Sequence, residues 1–482
     1  MWNPLPSLVL LPLLPLKALF PVLVERGFAG NIQSALTMAA TVAAVATCLR
    51  KLGVRRTPRL LLTVLFGLQP MIVLYAGSGL SEPMLLWFVV LTVSALISWV
   101  GDQRVGRLVL AGLALGLAYL TRYEAVAPAI AVAAFVGVVT FRRSVGPASR
   151  RVWLALNDVV LVAAPFAFAF LVWAATAKVL VGEWFPTLTS GYGNASQVAS
   201  GRTSIQSVTG TTATETLTYI SAQIHGLTPL IVPLLVMVSV VGVWQRRAAM
   251  LVPPLVLGAV LVFVNLVLLS GASFGWLRFQ IAVIPLAVLL AGSVVAAFTS
   301  LGIRPAGYAA VVLLTGGMIA AGLPVEARTL TETRGGVARE ESEMLRATFR
   351  PDLASGDDRE SLRIFQTERV IAADLDREIA ADPDRLALGE GAVLTDAAYA
   401  FPIVLGSARP TQFVITSDFD FKDAVADPAG HGIQYLLVPE RATNDALRRH
   451  WPTLYEDGAE IAVLVKKWPG AYLGEWRLYR VR

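Results

Sequence analysis

From residue 31 to residue 324 the sequence is a succession of apolar stretches separated by short polar joints. Each approaches the roughly 20 residues that a helix needs to cross a bilayer core about 30 Å thick. Lipid offers no hydrogen-bonding partners, so every backbone group must be satisfied within its own segment, and such stretches read as helices. Ten spans are predicted, at about 31–49, 60–76, 83–100, 107–121, 124–141, 157–178, 225–244, 249–270, 279–299 and 305–323. The span at 107–121 is short, so Arg107 and Arg122 at its ends are expected to snorkel to the two interfaces.

Charge placement predicts the orientation, because Lys and Arg concentrate in cytoplasmic loops. Arg50, Lys51, Arg55, Arg56 and Arg59 share one joint, and further clusters follow at Arg104/Arg107, Arg142–Arg151, Arg246/Arg247 and Arg304. These fall on alternate joints and are read as cytoplasmic. The joints bearing Glu82, Arg122–Glu124, the 182–224 segment and Trp276–Arg278 then face outside, as does everything after residue 324.

Composition divides the chain in two. Residues 1–324 hold 20 Lys/Arg and 7 Asp/Glu, whereas 325–482 hold 20 and 27. The first part is predicted to be a transmembrane domain and the second an extracytoplasmic soluble domain, giving a multi-pass protein of the plasma membrane. With 15% charged residues overall, an ordinary soluble enzyme is excluded. The basic residues set topology and form no single patch, so nucleic acid is not an expected partner. One cysteine, Cys48, allows no intrachain disulfide, and His225, His431 and His450 lack zinc-ligand spacing, so no metal ligands are assigned.

Residues 1–24 are apolar but contain Pro4, Pro6, Pro12, Pro15 and Pro21, which break a continuous helix. The segment reads as an interfacial or re-entrant helix on the outer face, with a kinked span as the alternative. Residues 182–224, rich in Gly, Ser and Thr, read as a long outer loop, either a functional lid or simply mobile. After 325, strands are expected at 392–395, 412–416, 433–438, 461–467 and 477–481, with helices around 366–381, 397–405, 420–426 and 443–450. That alternation predicts a small α/β domain with a partly parallel sheet.

Charged residues at the mouths of spans are costly and become candidates for function. Glu82 either caps its helix, with Ser81 and Pro83, or presents a carboxylate to a sugar hydroxyl or a metal shell. Arg122 either pairs with Glu124 to anchor the turn or clamps a phosphate through its planar guanidinium. Arg278 is an interfacial anchor or a second phosphate partner. Tyr123 and Trp184, on the same outer side, complete the candidate substrate contacts, with Glu82 and Glu124 as the candidate catalytic carboxylates.

In their order along the chain, these residues resemble the membrane-embedded GT-C glycosyltransferases, in the branch of bacterial protein mannosyltransferases and aminoarabinose transferases. Pro4-Leu5-Pro6-Ser7-Leu8 is similar to the family's proline-rich helix after the first outer loop. Gln69-Pro70 through Ser81-Glu82-Pro83 resembles its next outer turn, Gly112 to Glu124 its Gly-rich span ending in an Arg-containing turn, and Arg278-Phe279 with Ile284-Pro285 its late Arg-aromatic-Pro helix. The resemblance covers about residues 1–300.

It implies transfer of a sugar from a polyprenyl-phosphate donor to an outer-face envelope glycan, lipid or protein, with inversion. An acidic residue in the first outer loop would act as base, basic residues would hold the leaving phosphate, and some members use a divalent cation, Mg or Mn. The first span and first outer loop of the family have no counterpart here, and no acidic residue precedes Glu25. The expectation is a longer gene product, with one more span and an outer segment bearing the base. A transporter, or a non-catalytic GT-C-like scaffold for envelope assembly, are the rival readings.

Overall fold

The computed structural model describes residues 3–190, 193–245, 247–301, 304–332, 336–381, 391–442 and 444–482. Tyr192, Arg246 and Thr443, which figure in the expectations above, lie outside them. Every predicted apolar stretch falls on helix. Among the described residues, seven helices are long and apolar enough to cross a membrane, and nine spans result if each of two bent pairs is counted as one. The chain is therefore a multi-pass helical membrane protein. The tenth predicted span is the helix Val105–Thr121, which at 17 residues is shorter than a typical span.

The helices Glu82–Asp102 and Leu277–Thr299 are the most deeply buried spans and form the centre of the bundle. The 34-residue helix Ala148–Val181 lies at the periphery. It crosses Val105–Thr121 so closely that a Cβ on Gly112 would sit 2.3 Å from the Val162 carbonyl oxygen, which is why only glycine fits there. Residues 56–76 do not form one continuous helix. Pro70 opens a second helix, Pro70–Ala76, bent by 64° from Arg56–Gly67.

Two expectations need correction. The 182–224 segment is helical over most of its described length, with Pro186–Thr189, Asn194–Ser200, Arg202–Thr209 and Ala213–Leu227. The last of these begins at a capping box in which Glu215 N–H donates to Thr212 Oγ1 at 3.2 Å and the Glu215 carboxylate accepts from Thr212 N–H at 3.0 Å. His225 thus ends this helix and does not open a span; the chain then turns by 83° into Ile231–Gln245. The start of the chain is three short pieces, Leu5–Leu10, a 3-10 run Leu11–Ala18 and Val22–Glu25. Its prolines tighten the middle piece, and Leu11, Leu14, Leu19 and Phe20 stay exposed.

All five predicted strands are present: β1 (Val393–Thr395), β2 (Phe413–Ile415), β3 (Tyr435–Pro439), β4 (Ala462–Trp468) and β5 (Trp476–Val481). Their order is β2-β1-β3-β5-β4, parallel from β2 to β3 and antiparallel from β3 to β4, a partly parallel sheet with an apolar cluster on each face. The helix Pro305–Thr331 runs straight through the boundary expected at 324. Ion pairs between Glu25 and Arg369, at 2.8 Å, and between Glu183 and Lys422, at 2.5 Å, tie the sheet region to one end of the bundle.

Glu368 lies fully buried beneath this sheet, where Trp476 Nε1 donates to it at 3.2 Å and its second oxygen has no partner among the described residues. Burial pushes its carboxyl from the ordinary 4.5 up to about 7. The folded chain then keeps a proton that the unfolded chain has already lost, so stability falls as pH rises from about 4.5 to about 7 and is level above. Glu368→Gln should raise stability at mildly alkaline pH by about 1–3 kcal/mol and leave it unchanged in acid. Thermal unfolding of the full chain in detergent, followed across that pH range, checks this.

Candidate active site

Four segments bring charged side chains together at the end of the bundle nearest the sheet region. Glu82 is the first residue of its helix and is 2% exposed. Arg122 stands in extended conformation between Val105–Thr121 and the 3-10 turn Tyr123–Ala125. Glu124 lies within that turn, and Arg278 in the 3-10 turn Leu277–Gln280 that leads into a central helix.

Arg122 binds both carboxylates. Its Nη1 donates to Glu82 Oε1 at 2.9 Å, while Nε and Nη2 donate to Glu124 Oε1 at 2.9 and 2.6 Å. The local turn-anchoring pair is thus present, and the same guanidinium also joins two helix ends. Ser81 does not cap the helix that follows; its hydroxyl instead accepts from Arg122 Nη1 at 3.3 Å. Arg278 Nε lies 3.5 Å from the same Glu82 oxygen, and its Nη1 is 3.7 Å from Glu340. Its guanidinium rests 4.0 Å from the Trp276 ring centroid, and Phe274 stacks on Trp276 at 4.4 Å.

The loop before Arg278 is held from the helix Ala213–Leu227. Tyr219 Oη and Gln223 Nε2 donate to the Gly275 carbonyl at 3.0 and 2.8 Å. Gly275 has φ +72°, and a Cβ there would meet Thr209 at 2.6 Å, so this position takes glycine alone.

Two larger cavities adjoin the cluster. One, about 260 Å³, is lined by Asn3, Ser7, Ser81, Arg122, Tyr123 and Glu124. The other, about 380 Å³, is lined by Tyr219, Phe274, Trp276, Glu340, Glu341 and Glu343 among others. The slot where Glu82, Glu124, Arg122 and Arg278 meet holds only about 10 Å³. The second carboxylate oxygens of both Glu82 and Glu124 are buried without a hydrogen-bond donor among the described residues.

Glu82, Arg122, Tyr123, Glu124 and Arg278 therefore belong to one region. Trp184 does not: it is 55% exposed and lines none of these cavities. Glu340 and Glu341 are additions that the sequence reading missed. Glu341 accepts from Tyr75 Oη at 2.8 Å, and burial raises its carboxyl above the ordinary range. Burial also pushes Glu340 up to about 7, against the pull of Arg278. Their only sequence signal is a pair of acids in the first turn of the helix Arg339–Phe349, which reads as dipole compensation.

A divalent cation does not fit this cluster. Two guanidinium groups sit among its carboxylates and would repel one, and no group of three or more His, Cys, Asp or Glu suited to a metal occurs among the described residues. The chain matches no protein-family model and no curated protein.

Proposed function

We propose that this protein is a membrane glycosyltransferase of the GT-C kind, moving a sugar from a polyprenyl-phosphate donor to an acceptor on the outer face of the plasma membrane. The observation that carries this reading is the meeting of Glu82, Arg122, Glu124 and Arg278 in one slot. Paired cations and carboxylates at a membrane surface suit a reaction in which a phosphate leaves as a hydroxyl is deprotonated.

In the proposed reaction Glu124, with its free oxygen, takes the proton of the acceptor hydroxyl. The hydroxyl oxygen bonds to the anomeric carbon as the bond from that carbon to the phosphate oxygen breaks. The polyprenyl phosphate leaves with the electron pair, stabilised by Arg278 and Arg122. Glu82, between the two arginines, holds them in place. The exposed apolar pieces at the start of the chain suit contact with the lipid of the donor.

Vesicles containing the protein and a radiolabelled polyprenyl-phosphate sugar test the reading. Sugar transferred to envelope acceptors, or donor slowly hydrolysed, is expected with the wild type and absent with Glu124→Gln. Equal turnover by both would overturn it. The same reading puts residues 325–482 outside the cell. An impermeant thiol reagent should label a cysteine introduced at the exposed Phe419 in intact cells; labelling only after permeabilisation would reverse the orientation.

A transporter is the second reading, favoured by one observation: two helices are broken inside the bundle, by 64° and 83°. Discontinuous helices of this sort surround the substrate sites of many transporters. Uptake of a labelled solute by the same vesicles, without transfer, distinguishes it.

A further inference from the structure

Both helix breaks lie against the same stretch of the helix Pro305–Thr331. Gln69 lies at the first break and lines a cavity of about 10 Å³ together with Thr228 and Pro229 of the second and Gly322 of the long helix. One turn beyond Gly322, Glu326 is fully buried. Its Oε1 accepts the Met71 N–H at 2.7 Å, at the start of the half-helix Pro70–Ala76. Among the described residues its Oε2 has no hydrogen-bond partner, and neither has the amide oxygen of Gln69, which is 2% exposed.

Among the described residues no cation pairs with this carboxylate. The titratable and charged groups on the elements packed against it are Tyr75, His225, Glu215, Tyr219, Arg56, Arg59 and the Arg339–Arg346 run, with Tyr308 and Arg328 on its own helix and Glu332 just past its end. None of them forms an ion pair or hydrogen bond with Glu326 among the described residues. A buried carboxylate with one hydrogen bond and no counter-ion is too costly to remain ionised, so it is neutralised by a proton or a bound cation. A hard metal cation asks for about six oxygens, whereas two acceptors are left free here among the described residues, and the cavity beside Gln69, which Glu326 does not line, has room for about one water. A proton needs only a host and one acceptor.

We propose that Glu326 and Gln69 form a proton-binding site within the bundle, with the proton on Glu326 Oε2 donated to the Gln69 amide oxygen. This goes beyond the transferase reading and does not rest on it. The site has a route to the charged cluster. The half-helix that Glu326 holds through Met71 leads by a five-residue turn to Glu82, and the helix ending at the second break carries Tyr219 and Gln223, which fix the loop before Arg278. Loss of the proton would place an uncompensated charge beneath both supports.

Infrared spectroscopy of the purified full chain in lipid tests the proposal without any activity assay. At neutral pH the wild type should show the carbonyl band of a protonated carboxyl that is lost in Glu326→Gln, the difference spectrum cancelling other acids. Gln69→Leu, which keeps the host carboxyl, should retain this band and move it to higher frequency, because the O–H loses its acceptor. Superimposable spectra for wild type and Glu326→Gln would overturn the proposal, as would a band that Gln69→Leu leaves in place. Disappearance of the band when sodium or potassium chloride replaces choline chloride would assign the site to a metal cation instead.

Discussion

Replacing Arg278 with alanine is expected to slow sugar transfer by about 30- to 1,000-fold, the equivalent of about 2–4 kcal/mol of transition-state stabilisation. In the proposed transfer the leaving phosphate develops charge in the transition state, and Arg278 would offer it a guanidinium held in place by the Trp276 face and by Glu82, at 4.0 and 3.5 Å. Beyond the ion-pair contact with Glu82, its Nε has no hydrogen-bond acceptor among the described residues, which would leave donor capacity for a ligand. Arg278→Lys should recover only part of the loss, since an ammonium cannot make the same planar bidentate contact. The check is donor turnover in vesicles at matched protein levels. Full activity in Arg278→Ala would remove this residue from the site.

Arg122→Ala is expected to damage the fold as well as the reaction. Arg122 is the partner of two carboxylates, Glu82 and Glu124, that are 2% and 3% exposed. Removing one side of a buried ion pair costs about 3–5 kcal/mol, because the remaining charge is left uncompensated in a poor solvent. The thermal midpoint in detergent should drop sharply, and adding Glu124→Gln to Arg122→Ala should recover part of it. Exposed pairs such as Arg350–Asp352, where both side chains are more than half exposed, should show no comparable effect when broken. If Arg122→Ala unfolds no more readily than wild type, the cluster is not an ion-pair network at all.

Some failures of the sequence reading have identifiable physical causes. Residues 182–224 are rich in Gly, Ser and Thr, so they read as a loop; the Thr212–Glu215 capping box was the overlooked helix signal. Pro70 marked the break in the second expected span, but a hydropathy window averages over a bend. Glu340 and Glu341 sit in an Arg-Glu-Glu-Ser-Glu run that has the composition of a solvated helix face. Only packing turns two of those acids toward Tyr75 and Arg278. Trp184 illustrates the opposite error, an aromatic side chain whose place near a candidate loop said nothing about where it would point.

The succession of membrane helices and the five strands were legible because each rests on a local property. Apolar length is set by the thickness of the hydrocarbon core, and strand character by short β-branched runs between turns. The sequence also singled out Glu82, Arg122, Glu124 and Arg278, because a charge at a span mouth is expensive wherever the span is packed. Only the tertiary structure decided that they meet. Arg122 and Glu82 are 40 residues apart, and Tyr75 and Glu341 are 266 apart. Contacts at such separations follow from which helices cross and how closely, as where Gly112 lets two of them touch, and not from any property of one segment. The same holds for Glu326, which ends an ordinary apolar span in the sequence and becomes a buried, half-satisfied carboxyl only where two broken helices close over it.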